Sequence, residues 1–442
     1  MKFYVYFIFV AVVGFFLFDD VYSVLAFSVT ISLGVLILLK SNESFMFREF
    51  ALLLYAINYL LSPALTYQIE LEKITYAMKI NSETYFSLAF PGFVLFAMGM
   101  FTIPTKIFKP NFSEISKTSL LNERFLVQLS IFGVICGLSA DVFSSDFAFL
   151  IYLFSLVRFV GVFALFASNP KKYRYLALLI LGFELYNGFK NALFHDSIMW
   201  VIFFFLFYLY VNKPRIALKF TGTLVLIFLV LLIQAFKQDY RQRVWIGGEV
   251  ASIETISDVG LGKANSEVLV GEANLLGTLN RGNQAWIFAS TVDNMDRTND
   301  FQGMNNVNLY FESALLPRFL APNKITSGNK EIFNKFSGHQ INSGTSMGLG
   351  VFADGYIAYG QIGVYLFTFF LGLLFSFTFK LIQSWSNISP FYVLLTLPIL
   401  NYAVRPDCEL QTIINHLTKS MVVFGIFVNL SKYQFTLDNY TK

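Results

Sequence analysis

The chain is 442 residues long, 56% hydrophobic and only 14% charged, with 53 Phe, 23 Tyr and a formal net charge of +4. A soluble domain carries about 25% charged and roughly 45–50% apolar residues, so this composition excludes a cytosolic enzyme, a secreted domain and a DNA-binding protein. The net charge is too small to imply a nucleic-acid partner, and Cys136 and Cys408 are too few for a disulfide framework or a zinc site. An all-α, polytopic membrane protein remains.

A transmembrane helix needs about 20 mostly apolar residues to cross about 30 Å of hydrocarbon. In chain order, twelve segments qualify: 3–18, 21–39, 48–65, 84–104, 123–142, 147–168, 173–191, 195–212, 217–236, 361–380, 388–404 and 414–431. The first has the look of a signal peptide, but it ends in Asp19-Asp20 and runs at once into the second, so it reads as a retained helix. Nine spans thus fall in 1–236 and three in 346–442, with 237–345 as a long loop between them. Positive charge stays on the cytoplasmic side. With the N-terminus inside, sixteen Lys and Arg flank cytoplasmic ends against four in the short outer loops (Lys73, Lys79, Lys190 and Arg405). Both termini are therefore expected in the cytoplasm and 237–345 outside it.

Arg158 lies within the sixth span and Glu184 within the seventh. A central Arg costs about 2.5–3.5 kcal/mol on insertion scales. Arg158 therefore either pairs with Glu184 or helps to bind an anionic lipid head.

The long loop balances ten basic residues against eleven acidic ones. A structureless connection of this length is not expected in a compact protein, and Val250–Leu276, with few breakers, reads as short helices. Four clusters stand out. Phe236-Lys237-Gln238-Asp239-Tyr240-Arg241-Gln242-Arg243-Val244-Trp245 follows the ninth span, where basic and aromatic side chains also serve as headgroup anchors. Leu279-Asn280-Arg281-Gly282-Asn283-Gln284 comes next. The prolines of Leu316-Pro317-Arg318-Phe319-Leu320-Ala321-Pro322-Asn323-Lys324 fix an extended, turn-rich path that presents Arg318 and Lys324. Ser337-Gly338-His339-Gln340 then leads into the glycine-broken apolar stretch Gly348–Gly363. Counted with the tenth span, that stretch is too long for one crossing. A short helix lying in or dipping into the interface, a turn near Gly360 and then the span are expected. Irregular backbone at that depth must be buried in protein or line a wet cavity, so Asp354 becomes a candidate functional group. Asp19-Asp20 and His195-Asp196 read as helix-end polarity, and His195 and His416 as structural residues. No Walker A, Rossmann fingerprint, HExxH or nucleophile elbow is present.

The order of these clusters resembles the Wzy-type O-antigen polymerases, which join oligosaccharide repeat units in bacterial surface polysaccharide pathways. The resemblance rests on Lys237 through Arg243, Asn280-Arg281-Gly282, Leu316-Pro317-Arg318 and Pro322-Asn323-Lys324. It continues with Thr345-Ser346, Asp354-Gly355-Tyr356 and Gly360–Gly363. Elsewhere only the number and hydropathy of the spans match, and the family often carries Glu where Asp354 stands. The resemblance implies a metal-independent glycosyltransferase of the bacterial cytoplasmic (inner) membrane that needs no cofactor. Donor and acceptor would be undecaprenyl-diphosphate-linked oligosaccharides, joined at the outer (periplasmic) face. A flippase and a chain-length regulator of the same pathway would be its protein partners.

The residue types suit that chemistry. Negative charge grows on the leaving diphosphate, and the guanidinium fork is always charged and binds phosphate oxygens in pairs. Arg241, Arg243, Arg281 and Arg318, with Lys324 behind them and Arg158 as a further candidate, are assigned to diphosphate. The acceptor hydroxyl needs a general base within hydrogen-bond reach. Asp354 and His339 are the candidates, with Asp354 preferred for its place at the membrane edge. Trp245, Tyr310 and Tyr356 are either sugar-stacking or interface-anchoring aromatics. An O-antigen ligase, delivering the chain to lipid A core, shares the donor. A lipid-oligosaccharide flippase is the non-enzymatic rival, against which stands the gathering of arginines in one outer loop.

Overall fold

The computed structural model describes residues 2–69, 76–110, 112–139, 145–190, 194–247, 255, 258, 271–315, 328–341 and 346–435, and among them there are helices and turns but no strand. The helices of the N-terminal half are α1 Lys2–Leu17, α2 Val21–Lys40, α3 Phe47–Tyr67, α4 Ser82–Phe101, α5 Phe112–Leu121, α6 Glu123–Ser139, α7 Ala148–Ser168, α8 Pro170–Lys190 and α9 Phe194–Asn212. There follow α10 Ile216–Arg241, α11 Glu272–Arg281, α12 Ala285–Thr298, α13 Met304–Leu315, α14 Lys330–Ser337, α15 Val351–Ser386, α16 Pro390–Leu400 and α17 Leu410–Phe435. Among the described residues, eight helices are long and apolar enough to cross a membrane: α2, α3, α4, α7, α9, α10, α15 and α17. The pair α5–α6, bent by 82°, is a ninth candidate.

The remaining expected spans differ for local reasons. Helix α1 has 16 residues, because Asp20 stops it and caps α2, its carboxylate accepting from Ser23 N at 2.9 Å. Helix α8 is long enough but carries Lys171, Lys172, Arg174, Glu184 and Lys190. Helix α16 opens as a tight 3₁₀ turn at Pro390 and ends at Leu400. Val250–Leu276, expected to be helical, lies almost wholly outside the described residues, which pick up α11 from Glu272.

Lipid offers helices no hydrophobic drive to associate, so close packing and small residues must supply it. At the joint between α4 and α15, a Cβ on Gly99 would sit 2.4 Å from Phe369 O, and one on Gly372 would sit 2.2 Å from Phe96 O. The two backbones touch there. Aromatic stacking fills the rest of the interior: Phe159 lies on Trp200 with ring centroids 3.6 Å apart, and Phe163 on Phe207 at 5.1 Å.

Side-chain ties define two ends. At the first, Lys219 Nζ donates to Leu38 O (2.7 Å), Tyr210 OH to Pro110 O (3.2 Å), and Ile103 N to Ser376 Oγ (2.9 Å). Lys40, Arg48, Lys106, Lys109, Lys213 and Arg215 belong to the same end. At the second, Asn283 Nδ2 donates to Thr66 Oγ1 (2.9 Å), Arg405 Nη1 to Asp196 Oδ1 (2.6 Å), and Tyr240 OH to Phe189 O (3.0 Å). Helices α11 to α14 gather over this second end.

Candidate active site at the second end of the bundle

Helix α15 is two limbs, 351–358 and 361–386, separated by Tyr359 (φ −143°, ψ 28°) and Gly360 (φ 57°, ψ −140°). Gly360 holds a conformation that side chains disfavour. The short limb folds back on the long one so tightly that a Cβ on Gly355 would lie 2.5 Å from Gly363 O. Backbone carbonyls freed by the break find donors in the preceding loop: Gln302 N bonds to Ile357 O (2.9 Å) and Gly303 N to Ala358 O (3.0 Å). An open apolar pocket of about 530 Å³ lies against this turn, lined by Phe301, Tyr359, Ile362 and Leu366 among others.

Asp354 points inward from the short limb and is 1% exposed. Its Oδ1 accepts from Tyr310 OH of α13 at 3.0 Å, and its Oδ2 from Leu410 N, the first amide of α17, at 2.8 Å. A carboxylate at a helix N-terminus is well placed for orphan amides and the dipole. Asp354 thus ties α13, α15 and α17 together. Glu409, also buried, acts on it electrostatically. Glu409 Oε1 accepts from Leu349 N (3.4 Å) and Oε2 from Gly328 N (3.3 Å), so one side chain holds both ends of the segment that contains His339. Burial raises the Glu409 carboxyl above the ordinary range, against the opposing pull of those two amides.

His339 is partly exposed and rests on α12. Its Nε2 lies 2.9 Å from Ser290 Oγ, and its ring meets Trp286 edge-on at 5.2 Å. Trp286 is in turn stacked on Tyr76 at 4.3 Å. Burial, then the positive charge of Lys79, lowers the imidazole's pKa below its ordinary value, which leaves it neutral at pH 7. Asn294 Nδ2 fixes the preceding helix end by donating to Lys335 O and Phe336 O.

The other face of α12 holds the re-entrant limb. Phe288 packs on Phe352 (5.8 Å), Tyr356 OH donates to Asp296 Oδ1 (2.6 Å), and Gln284 Nε2 donates to Gly348 O and Leu349 O. One helix therefore joins the His339 segment to the Asp354 limb. Tyr310 and Tyr356 are both buried and bonded to acids through their hydroxyls.

The basic candidates fall in three groups. Arg241 ends α10 and Arg243 lies exposed in the π turn Gln242–Ile246, which also contains Trp245. Arg281 is the last residue of α11, which is tied to α10 by Asn274 Nδ2 donating to Leu231 O at 3.2 Å. These residues share the second end with His339 and Asp354. Arg158 is apart from them: it is buried, ion-paired with Glu184, and bonded to Ser155 O at 2.9 Å. Arg318 and Lys324 lie outside the described residues.

Gln284 closes the second cluster of the loop, whereas Glu409 and Ser290 escaped the sequence reading. Each bonds to a partner at least 49 residues away, and no local spacing announces such a contact.

Fold and site together define an all-helical, multi-pass membrane protein with a polar, helix-covered cap at one end of its bundle. Residues 8–385 match the model of a family described as a domain of unknown function, DUF8712, and the chain belongs to that family. No curated protein and no solved structure matches it.

Proposed function

We propose that the protein is a glycosyltransferase that polymerises undecaprenyl-diphosphate-linked oligosaccharide repeat units at the outer face of the bacterial cytoplasmic membrane. The observation that carries this reading is α12 itself. It brings a neutral, accessible imidazole and a re-entrant carboxylate limb to the bundle end where the arginine-bearing helices α10 and α11 terminate. In the proposed reaction His339 takes the proton from the acceptor sugar hydroxyl. The oxygen attacks the donor's anomeric carbon, the bond to the diphosphate breaks, and Arg241, Arg243 and Arg281 stabilise the charge left on the lipid diphosphate. Here the roles preferred from sequence change places. Asp354 is sealed from solvent with both oxygens occupied, so it serves as a positioning residue, while His339 is the accessible base. Twelve crossings, with α1, α8 and α16 among them, and both termini cytoplasmic complete the reading.

The test is a gel of surface polysaccharide from cells lacking the gene, beside cells complemented with wild type or His339→Gln. A ladder that collapses to single repeats on lipid A, restored by wild type alone, is the expected result. Long chains retained on the lipid carrier, with none on lipid A, would make it a ligase. An unchanged ladder overturns both.

A further inference from the structure

Helix α12 grips His339 at two points. Trp286 and Ser290 stand four residues apart on one face of the helix. The Trp286 ring meets the imidazole edge-on at 5.2 Å and 80°, and Ser290 Oγ lies 2.9 Å from Nε2. Both side chains are buried, at 4% and 2% exposure. The backbone beside the imidazole is held as well. His339 N donates to Ser337 Oγ at 3.2 Å, and Asn294 of α12 bonds the carbonyls of Lys335 and Phe336. The ring therefore has one orientation, with Nε2 turned in to the helix. Nδ1 bonds to no described residue and is open to solvent. It is the nitrogen left for a ligand.

A neutral imidazole can meet a hydroxyl in two ways. If the serine O–H donates to Nε2, the imidazole proton is on Nδ1, and neither nitrogen has a lone pair to offer. If Nε2–H donates to Ser290 Oγ, Nδ1 is bare and accessible. The second arrangement also survives protonation, because Nε2–H is still a donor in the imidazolium, whereas the first has to reverse its hydroxyl. Ser290 is not itself placed to be a nucleophile: it lies inside α12 and is sealed from solvent.

We infer that Ser290 is a positioning residue that holds His339 in the Nε2–H tautomer, so that Nδ1 is the nitrogen presented to the substrate hydroxyl. In the transfer step the acceptor's O–H proton passes to Nδ1 as its oxygen bonds to the anomeric carbon. The electron pair of the broken C–O bond leaves on the diphosphate, and Nε2–H stays on Ser290 Oγ throughout. A base oriented by a third group is the general logic of hydroxyl activation. The inference rests on the proposed function for the identity of the hydroxyl, but the tautomer is a property of the resting protein.

The test is solid-state ¹⁵N NMR of the full-length, histidine-labelled protein in lipid bilayers at about pH 8, where imidazole is neutral. The chain has three histidines, His195, His339 and His416, so the difference from His339→Gln assigns the signal. The expected spectrum places the proton on Nε2 and leaves Nδ1 bare. In Ser290→Ala, which changes little volume, both tautomers should appear, and kcat should fall about tenfold with KM unchanged. An Nδ1–H tautomer in wild type, or a Ser290→Ala spectrum identical to wild type, overturns the inference. So does labelling of Ser290 by a fluorophosphonate, which would make it a nucleophile. The expected tautomer in a protein whose loss leaves the ladder unchanged would remove the transferase reading and keep the Ser290–His339 pair. A collapsed ladder with an Nδ1–H tautomer would do the reverse.

Discussion

The joint between α4 and α15 and the middle of α10 are both apolar, yet one is packed to backbone contact and the other leaves Leu224, Val225, Ile227, Phe228 and Leu229 exposed along one face. Glycines make the difference. Gly99 and Gly372 bring two backbones together, whereas Leu224–Leu232 offers only bulky side chains. Burial in a bilayer is thus set by how closely helices can approach rather than by how hydrophobic they are. The rigid joint supports the re-entrant limb that carries Asp354. The lipid-facing helix α10 ends in Arg241.

The sharpest way to break this contrast is to insert a side chain at the joint. Gly372→Leu places atoms where Phe96 O and Met100 N already stand, 2.2 and 2.7 Å from a Cβ. Backbone cannot yield as a side-chain tip can, so loss of folded protein is expected, read by monodispersity in detergent. The next largest effect falls on activity. His339→Gln should lower transfer by about 10²–10⁴-fold, the usual worth of a general base, with an unchanged melting temperature. In wild type the imidazole pKa lies below 6.5. The base is therefore fully active above that value, and activity should fall as pH drops through the lowered pKa. A variant at His339 whose acid limb stays where it was would assign that titration to another group.

Asp354→Asn separates positioning from catalysis. The amide cannot accept from both Tyr310 OH and Leu410 N through its two terminal atoms, so one buried donor loses its partner at a cost of about 1–3 kcal/mol. Stability and activity should fall together, and Tyr310→Phe should reproduce part of the loss. An Asp354→Asn protein that melts like wild type but is inactive would return Asp354 to the role of base. Gly360→Ala should cost about 1–3 kcal/mol through its backbone conformation, and its melting curve would show whether the turn is as rigid as the joint beneath it.

How far the sequence could be read follows the same physical division. Hydropathy marked the membrane class, and the run Gly348–Gly363 announced a broken, re-entrant element ending near Gly360, because glycine punctuation is local. The bent, short and charged helices α5–α6, α1, α16 and α8 lowered the number of regular spans, since composition alone does not show where a helix turns. The Arg158–Glu184 pair was legible because a charge within a span needs a partner. Tyr310, Glu409 and Ser290 find theirs across 44, 60 and 49 residues. Burial of Asp354 beneath α13 and α17 is a tertiary fact with no signature in its own segment.

The smallest predicted effect is the most discriminating for the comparison. Ile227→Ala and Phe228→Ala remove large side chains from the exposed face of α10. Truncations of this kind in a packed interior cost about 2–5 kcal/mol because they leave a cavity. Phe96→Ala, beside the α4–α15 joint, should behave that way, since Phe96 is fully buried. On this face of α10 there is no protein cavity to open: Ile227 is 51% and Phe228 50% exposed, and lipid fills whatever space is released. Both α10 variants should therefore melt within about 0.5 kcal/mol of wild type, as surface substitutions do. A loss of 2 kcal/mol or more at Phe228 would mean that this face of α10 also packs against protein, and the contrast between the two regions would close.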